Sequence, residues 1–177
     1  EFLISMQPDD RAAVVDFGDD INITSGFSGD KKRLANAVYA LRPYGGTRLY
    51  DAIVQAVQLL SEQSGVKAVI YLTDGMDNRS NHRLRHIRSM NIGEGIFVYG
   101  IGVGDLDHAS LRSISVATNG VYRDISRTGE LPDVYKEVVS YHYDAFEKTY
   151  SQKGSFVITS MPSEKPVYIN GHEQGRT

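Results

Sequence analysis

Cysteine and tryptophan are both missing from this 177-residue chain. Without Cys there can be no disulfide and no thiol chemistry, and the chain fits either redox compartment. An excess of charge of one sign is missing too. Nineteen Lys and Arg stand against 22 Asp and Glu, a formal net charge of −3, so composition makes no electrostatic case for nucleic acid or an anionic membrane surface. No apolar run approaches the length that spans a bilayer, and the first residues carry no signal-peptide pattern. A targeting segment, if there is one, is expected outside this sequence. What remains is a chain of one ordinary domain's length, able to bury a sizeable core and with room for a small appendage.

Hydrophobic periodicity supplies the elements. Ala12 to Phe17 reads as a strand, Gly18-Asp19-Asp20 as a tight turn, and the alternating Ile21 and Ile23 as an antiparallel return. Leu34, Ala37, Val38 and Leu41 mark a helix face ended by Pro43 and Gly45, and Leu49, Ala52, Ile53, Ala56, Val57 and Leu60 mark a stronger one. Ala68 to Leu72 is a strand with apolar residues on both faces, and Ile96 to Ile101 is another. Between them a basic helix is expected near Asn81 to Met90. Asp107 can cap a helix carrying Leu111 and Ile114, Val121-Tyr122 is a short strand, and Leu131 to His142 traces a last helix with Pro132 in its first turn. The order predicts an α/β fold: a doubly wound, mostly parallel sheet with one antiparallel edge strand. Phe2, Leu3 and Met6 have helical spacing that stops at Pro8, and are expected to be the tail of a helix that starts upstream.

The most informative feature is Thr73-Asp74-Gly75 at the end of the apolar strand. It delivers a carboxylate to the carboxyl edge of a parallel sheet, where open α/β folds hold their ligands. Gly45-Gly46-Thr47 opens a helix and can offer a hydroxyl to the same edge. A hydroxyl and a carboxylate held there are half of a site for a hard cation. Singly, Thr47 reads as a helix cap and Asp74-Gly75 as a turn; together they favour the metal.

Gly45-Gly46-Thr47 with Leu49-Tyr50-Asp51-Ala52, then Leu72-Thr73-Asp74-Gly75, then Tyr99-Gly100-Ile101-Gly102-Val103-Gly104-Asp105, resembles the von Willebrand factor type A (vWA) domain from about Asp10 to about Tyr143. The resemblance implies a Rossmann-like domain over 1–150 and a metal-ion-dependent adhesion site (MIDAS). Three loops of that site bind Mg²⁺, Mn²⁺ or Ca²⁺, and an acidic side chain of a protein partner completes the shell. By position Thr47 is the implied hydroxyl ligand and Asp74 the implied carboxylate ligand. Met76, Asp77 and Asn78 would ring the mouth of the site as partner contacts. The family's first loop, Asp-x-Ser-x-Ser, and the central strand before it have no counterpart at the start of this sequence. They are expected upstream, on a complementing fragment, or on another copy in a homo-oligomer. The tail from Gly154 through Val167-Tyr168-Ile169-Asn170-Gly171 to Gly175 resembles the opening of a PEGA module, and 154–177 are expected to start one. That implies a bacterial or archaeal cell-envelope protein, extracytoplasmic and anchored, if at all, by segments outside this chain.

The function expected is non-enzymatic protein–protein adhesion through a divalent cation. The alternative is a metal-free structural domain for oligomerisation or envelope anchoring. Other signals fall away. His82 and His86 have the spacing of zinc-protease histidines but Arg83 stands near where the catalytic Glu would be, so with Arg79, Arg85 and Arg88 they read as a solvated basic face or a dock for an acidic partner. The Gly100–Gly104 run has the wrong spacing for a dinucleotide loop and reads as a tight strand exit. Asp105, His108 and Ser115 form no ordered triad, Asp51 suits a helix N-terminus, and His142 reads as a half-buried packing residue.

Overall fold

The computed structural model describes residues 3, 6–42, 44–92, 95–149 and 154–160, the backbone alone over 145–149 and 154–160. The order of elements is β1 (Arg11–Phe17), β2 (Ile21–Ser28), α1 (Lys31–Ala40), α2 (Leu49–Ser61), β3 (Val66–Thr73), α3 (Leu84–Ser89), β4 (Ile96–Val103), α4 (His108–Ala117), β5 (Tyr122–Ile125), α5 (Leu131–Thr149) and β6 (Gly154–Ser160). One six-stranded sheet runs β2-β1-β6-β3-β4-β5. All its pairings are parallel except β1 with β2, the antiparallel edge expected from the turn at Gly18 to Asp20.

Strand alternation sends successive side chains to opposite faces, and β3 shows how two cores result. Val69 and Tyr71 join α2, Ile87 of α3 and Leu111 and Ile114 of α4 in one cluster. Ala68, Ile70 and Leu72 join Leu34 of α1 and Leu131, Tyr135, Val138 and Val139 of α5 in the other. Each fully buried aliphatic side chain stabilises the fold by about 1.5–3 kcal/mol, so both faces are strongly fixed. Met6 is buried in the second cluster, with Leu3 packed against it; the rest of the expected N-terminal helix tail, and Pro43, lie outside the described residues.

The centre of the sheet differs from expectation. A strand was expected there from outside this sequence, and Gly154–Ser160 was expected to open a separate β module. Here β6 lies between β1 and β3, with Arg11↔Ser155 to Asp16↔Ser160 on one side and Val66↔Gly154 to Leu72↔Ser160 on the other. The physical reason is the backbone: β1 and β3 each carry a ladder of N–H and C=O groups that must be paired. The alternating Ser155-Phe156-Val157-Ile158-Thr159-Ser160 has the β-branched content that such a position takes. The remainder of the PEGA resemblance, 161–177, lies outside the described residues.

Two smaller differences have clear causes. The basic helix is shorter than its sequence span, Leu84–Ser89, because Asn81 and His82 give their N–H groups to Asp51 and Arg83 is extended at φ −116°, ψ 158°. Gly100 and Gly102 exist for packing: a Cβ at Gly100 would run into the rings of Tyr71 and Tyr122, and one at Gly102 into the Tyr122 hydroxyl. His142 is more buried than expected, 2 % exposed and bonded to the Tyr99 hydroxyl at 3.0 Å; burial lowers its pKa to about 4, so it is neutral.

Candidate functional site at the carboxyl edge of the sheet

The loops leaving β1 and β3 and the turn that enters α2 meet at one edge. Thr47, 5 % exposed, is fixed through its backbone: its N–H donates to Asn78 Oδ1 at 2.9 Å, and its carbonyl accepts from the N–H groups of Asn78 and Arg79, both at 3.1 Å. The hydroxyl-bearing and carboxylate-bearing loops, far apart in sequence, are therefore stitched together as the metal reading requires. Asp74 is exposed and, among the described residues, makes no hydrogen bond or ion pair. The chain turns just after it because Thr73 Oγ1 donates to the Gly75 carbonyl at 2.6 Å and accepts from the Gly75 N–H at 3.2 Å. Its carboxylate is available.

The other acids at this edge are committed. Asp77 Oδ2 accepts from the Tyr50 N–H at 3.0 Å and the Ser80 hydroxyl at 2.6 Å, while Ser80 Oγ accepts from the Asp51 N–H at 3.0 Å. The N-cap position of α2 is Arg48, without a side-chain cap bond of its own. Asp77 and Ser80 thus satisfy the orphan N–H groups of α2 from a loop almost thirty residues later. Of the three expected mouth residues, Met76 accepts a long contact from the Asp107 N–H, 3.3 Å, and Asn78 and Asp77 spend their side chains on the α2 entrance. Met76 and Asp77 are half-buried and Asn78 is exposed.

Asp51 is the hub that sequence reasoning undervalued. Its Oδ2 accepts from Arg48 at 2.7 Å and the Asn81 N–H at 2.9 Å; its Oδ1 accepts from the His82 N–H at 2.9 Å and meets His82 Nδ1 at 2.6 Å. Burial pushes its carboxyl up, but the N–H groups of His82 and Asn81, with Arg48 and the His82 ring, outweigh that and bring it down to about 2. His82 therefore precedes α3 rather than sharing a helix face with His86, although their rings lie 4.6 Å apart. Asp19 was missed entirely: Oδ1 accepts from the Gly46 N–H at 2.8 Å and lies 3.6 Å from Arg79. The signal for it was Gly45, whose φ of +67° and lack of Cβ make room for the Asp19 carboxylate.

A family profile describing the von Willebrand factor type A domain matches residues 1–137. The chain belongs to that family. This vWA domain is 25 % identical over 157 residues to inter-alpha-trypsin inhibitor heavy chain H2 of Mus musculus, and 24 % identical to the Homo sapiens protein. Those alignments cover 77 % of the chain, which spans 17 % of the length of each relative. Among solved structures it is similar to a von Willebrand factor type A protein from Catenulispora acidiphila, at 25 % identity and TM-score 0.62 over 72 % of this chain and 32 % of that one. It is also similar to proximal thread matrix protein 1 from the mussel byssus, at 26 % identity and TM-score 0.61 over 73 % of this chain and 34 % of that one. The ArnB paralog VWA2 from Sulfolobus acidocaldarius, at 23 % identity and TM-score 0.60 over 76 % of this chain and 37 % of that one, shares the fold.

The vWA domain's fit to a divalent cation follows from its donor set. Mg²⁺ takes six oxygens and Ca²⁺ six to eight. Thr47 and Asp74 carry one neutral and one anionic oxygen, and Asp19, Asp51, Asp77 and Asn78 accept from N–H or hydroxyl donors. Among the described residues no group of three or more His, Cys, Asp or Glu is arranged to hold a metal. Thr47 and Asp74 together amount to two of the six or more oxygens that such an ion takes.

Proposed function

We propose that this vWA domain is a non-enzymatic protein–protein interaction module that binds partners through a divalent cation at the carboxyl edge. Thr47 and Asp74 are its ligands. The observation that carries the reading is the convergence of the Thr47 loop on the Asn78-Arg79 backbone, in the loop that carries a carboxylate, Asp74, with no partner among the described residues. A cation with few anionic ligands stays electron-poor and takes an oxygen from a partner Asp or Glu. Met76, Asp77 and Asn78 border that position. With Gly154–Ser160 taken into the sheet, the extracytoplasmic cell-envelope setting rests on the sequence resemblance of Val167-Tyr168-Ile169-Asn170-Gly171 to Gly175 to a PEGA module, and no helix among the described residues is long and apolar enough to cross a membrane.

Isothermal titration with Mg²⁺ and with Mn²⁺ tests the metal directly. Saturable binding that vanishes in Asp74→Ala, with the thermal melt unchanged, is the expected result. Identical titrations for wild type and Asp74→Ala would refute it. A second reading is a metal-free assembly domain, with which the lack of a three-acid group among the described residues is compatible; a flat titration with a concentration-dependent oligomer would establish that one instead.

A further inference from the structure

Most arginine side chains among the described residues are occupied. Arg11 and Arg42 reach backbone carbonyls, and Arg48, Arg79, Arg112, Arg123 and Arg127 each pair with a carboxylate. Among the described residues only Arg33, Arg83, Arg85 and Arg88 have side chains with no such partner, and three of those four lie within one stretch. All three are exposed, as is His86 beside them, and the sequence has no acid between Asp77 and Glu94. The stretch is also rigidly mounted. Asp51 grips its approach through Asn81 and His82, Ser80 is tied to Asp77, and Ile87 is fully buried beneath it.

We infer that Arg83, Arg85 and Arg88 form a cationic ledge that docks an acidic segment of a protein partner, beside the cation position and without needing the cation. Extended Arg83 and the short helix Leu84–Ser89 that follows make the ledge about 10 Å long along the backbone, the reach of a short acidic cluster. Longer polyanions fit poorly. The exposed acids Asp19, Asp20, Asp74, Asp105 and Asp107 lie in the loops at the carboxyl end of the sheet, next to the ledge. A nucleic acid, sulfated glycan or anionic bilayer would have to cross them at an unfavourable potential. Because the backbone is already fixed, association has to order only the side chains, and Arg presents a planar fork suited to carboxylates.

The probe is a fluorescein-labelled polyglutamate peptide of about six residues, short enough to sit on the ledge without crossing the neighbouring acids, titrated onto the full chain by fluorescence anisotropy with and without EDTA. Binding that is indifferent to EDTA, weakens about tenfold as ionic strength rises from about 0.05 M to about 0.3 M, and falls at least about tenfold in the Arg83→Glu/Arg85→Glu/Arg88→Glu variant is the expected pattern. If that variant melts early, the Arg→Gln triple is used, with a smaller loss in the same direction. Wild-type affinity in the triple variant overturns the proposal. So does binding that EDTA abolishes and the ledge substitutions spare, which would assign the peptide to the Thr47–Asp74 position alone. Heparin or phosphatidylserine vesicles binding more tightly than the peptide would overturn the choice of a polypeptide partner. Loss of Mg²⁺ binding in Asp74→Ala leaves this result untouched, so the two readings fail separately.

Discussion

Asp51 and Asp74 stand at the same edge of one sheet and do opposite things. Asp51 is buried, takes two backbone N–H groups, a guanidinium and an imidazole, and has its carboxyl lowered to about 2. Asp74 is exposed and engages nothing among the described residues. One carboxylate assembles the edge and the other is left available by that assembly. A charged side chain that a fold leaves solvated and unpartnered costs little to keep, whereas a buried one must be fully satisfied.

The contrast can be broken at its strong end first. Asp51→Ala leaves Arg48, the His82 ring and two buried-side N–H groups without an acceptor, and is expected to cost about 3 kcal/mol in urea unfolding, with loosening of 78–83 in hydrogen exchange. Titrating the same carboxylate is the next largest effect. Its folded pKa lies below the ordinary 3.8, so its contribution is complete above that value and is lost as pH falls toward about 2. A shift of that size corresponds to about 2 kcal/mol. The wild-type stability curve should therefore fall more steeply than that of Asp51→Ala below pH 3.8. Buried His142 acts in a separate window, protonating in the unfolded chain near 6.5 and in the fold only near about 4, and it cancels in that comparison. Asp77→Ala uncaps α2 from outside and is expected to cost about 1–2 kcal/mol by the same melt. Asp74→Ala should change stability by no more than about 0.5 kcal/mol while removing divalent-ion binding. If Asp74→Ala proved as costly as Asp77→Ala, the two acids would share a structural role and the contrast would collapse.

The sequence announced what periodicity encodes. β3 and β4 were legible as runs apolar on both faces, α2 and α5 as apolar stripes, the β1–β2 hairpin from Gly18-Asp19-Asp20, and the Asp107 cap from its place before α4. The placement of Thr47 and Asp74 in loops at the carboxyl edge was legible because each follows a local pattern at a strand or helix boundary. Asp19 and the Asp51 hub were not, since their partners lie about thirty residues away and no local spacing marks them. The shortened α3 has the same origin: a tertiary hydrogen bond to Asp51 overrode a helical pattern from Asn81. β6 was visible as a strand but not as a central one, because alternation says that a segment pairs and not with whom.

β6 also governs when this protein can fold. Arg11 pairs with Ser155, so the sheet that nearly every earlier element packs against stays split until the last described strand has been made. During synthesis the two halves, β1–β2 and β3–β5, would leave the ribosome as unjoined ribbons with bare inner margins. The final closure joins the sequence's most distant contacts, a slow step by topology, and is the moment at which the nascent chain depends most on holdase chaperones.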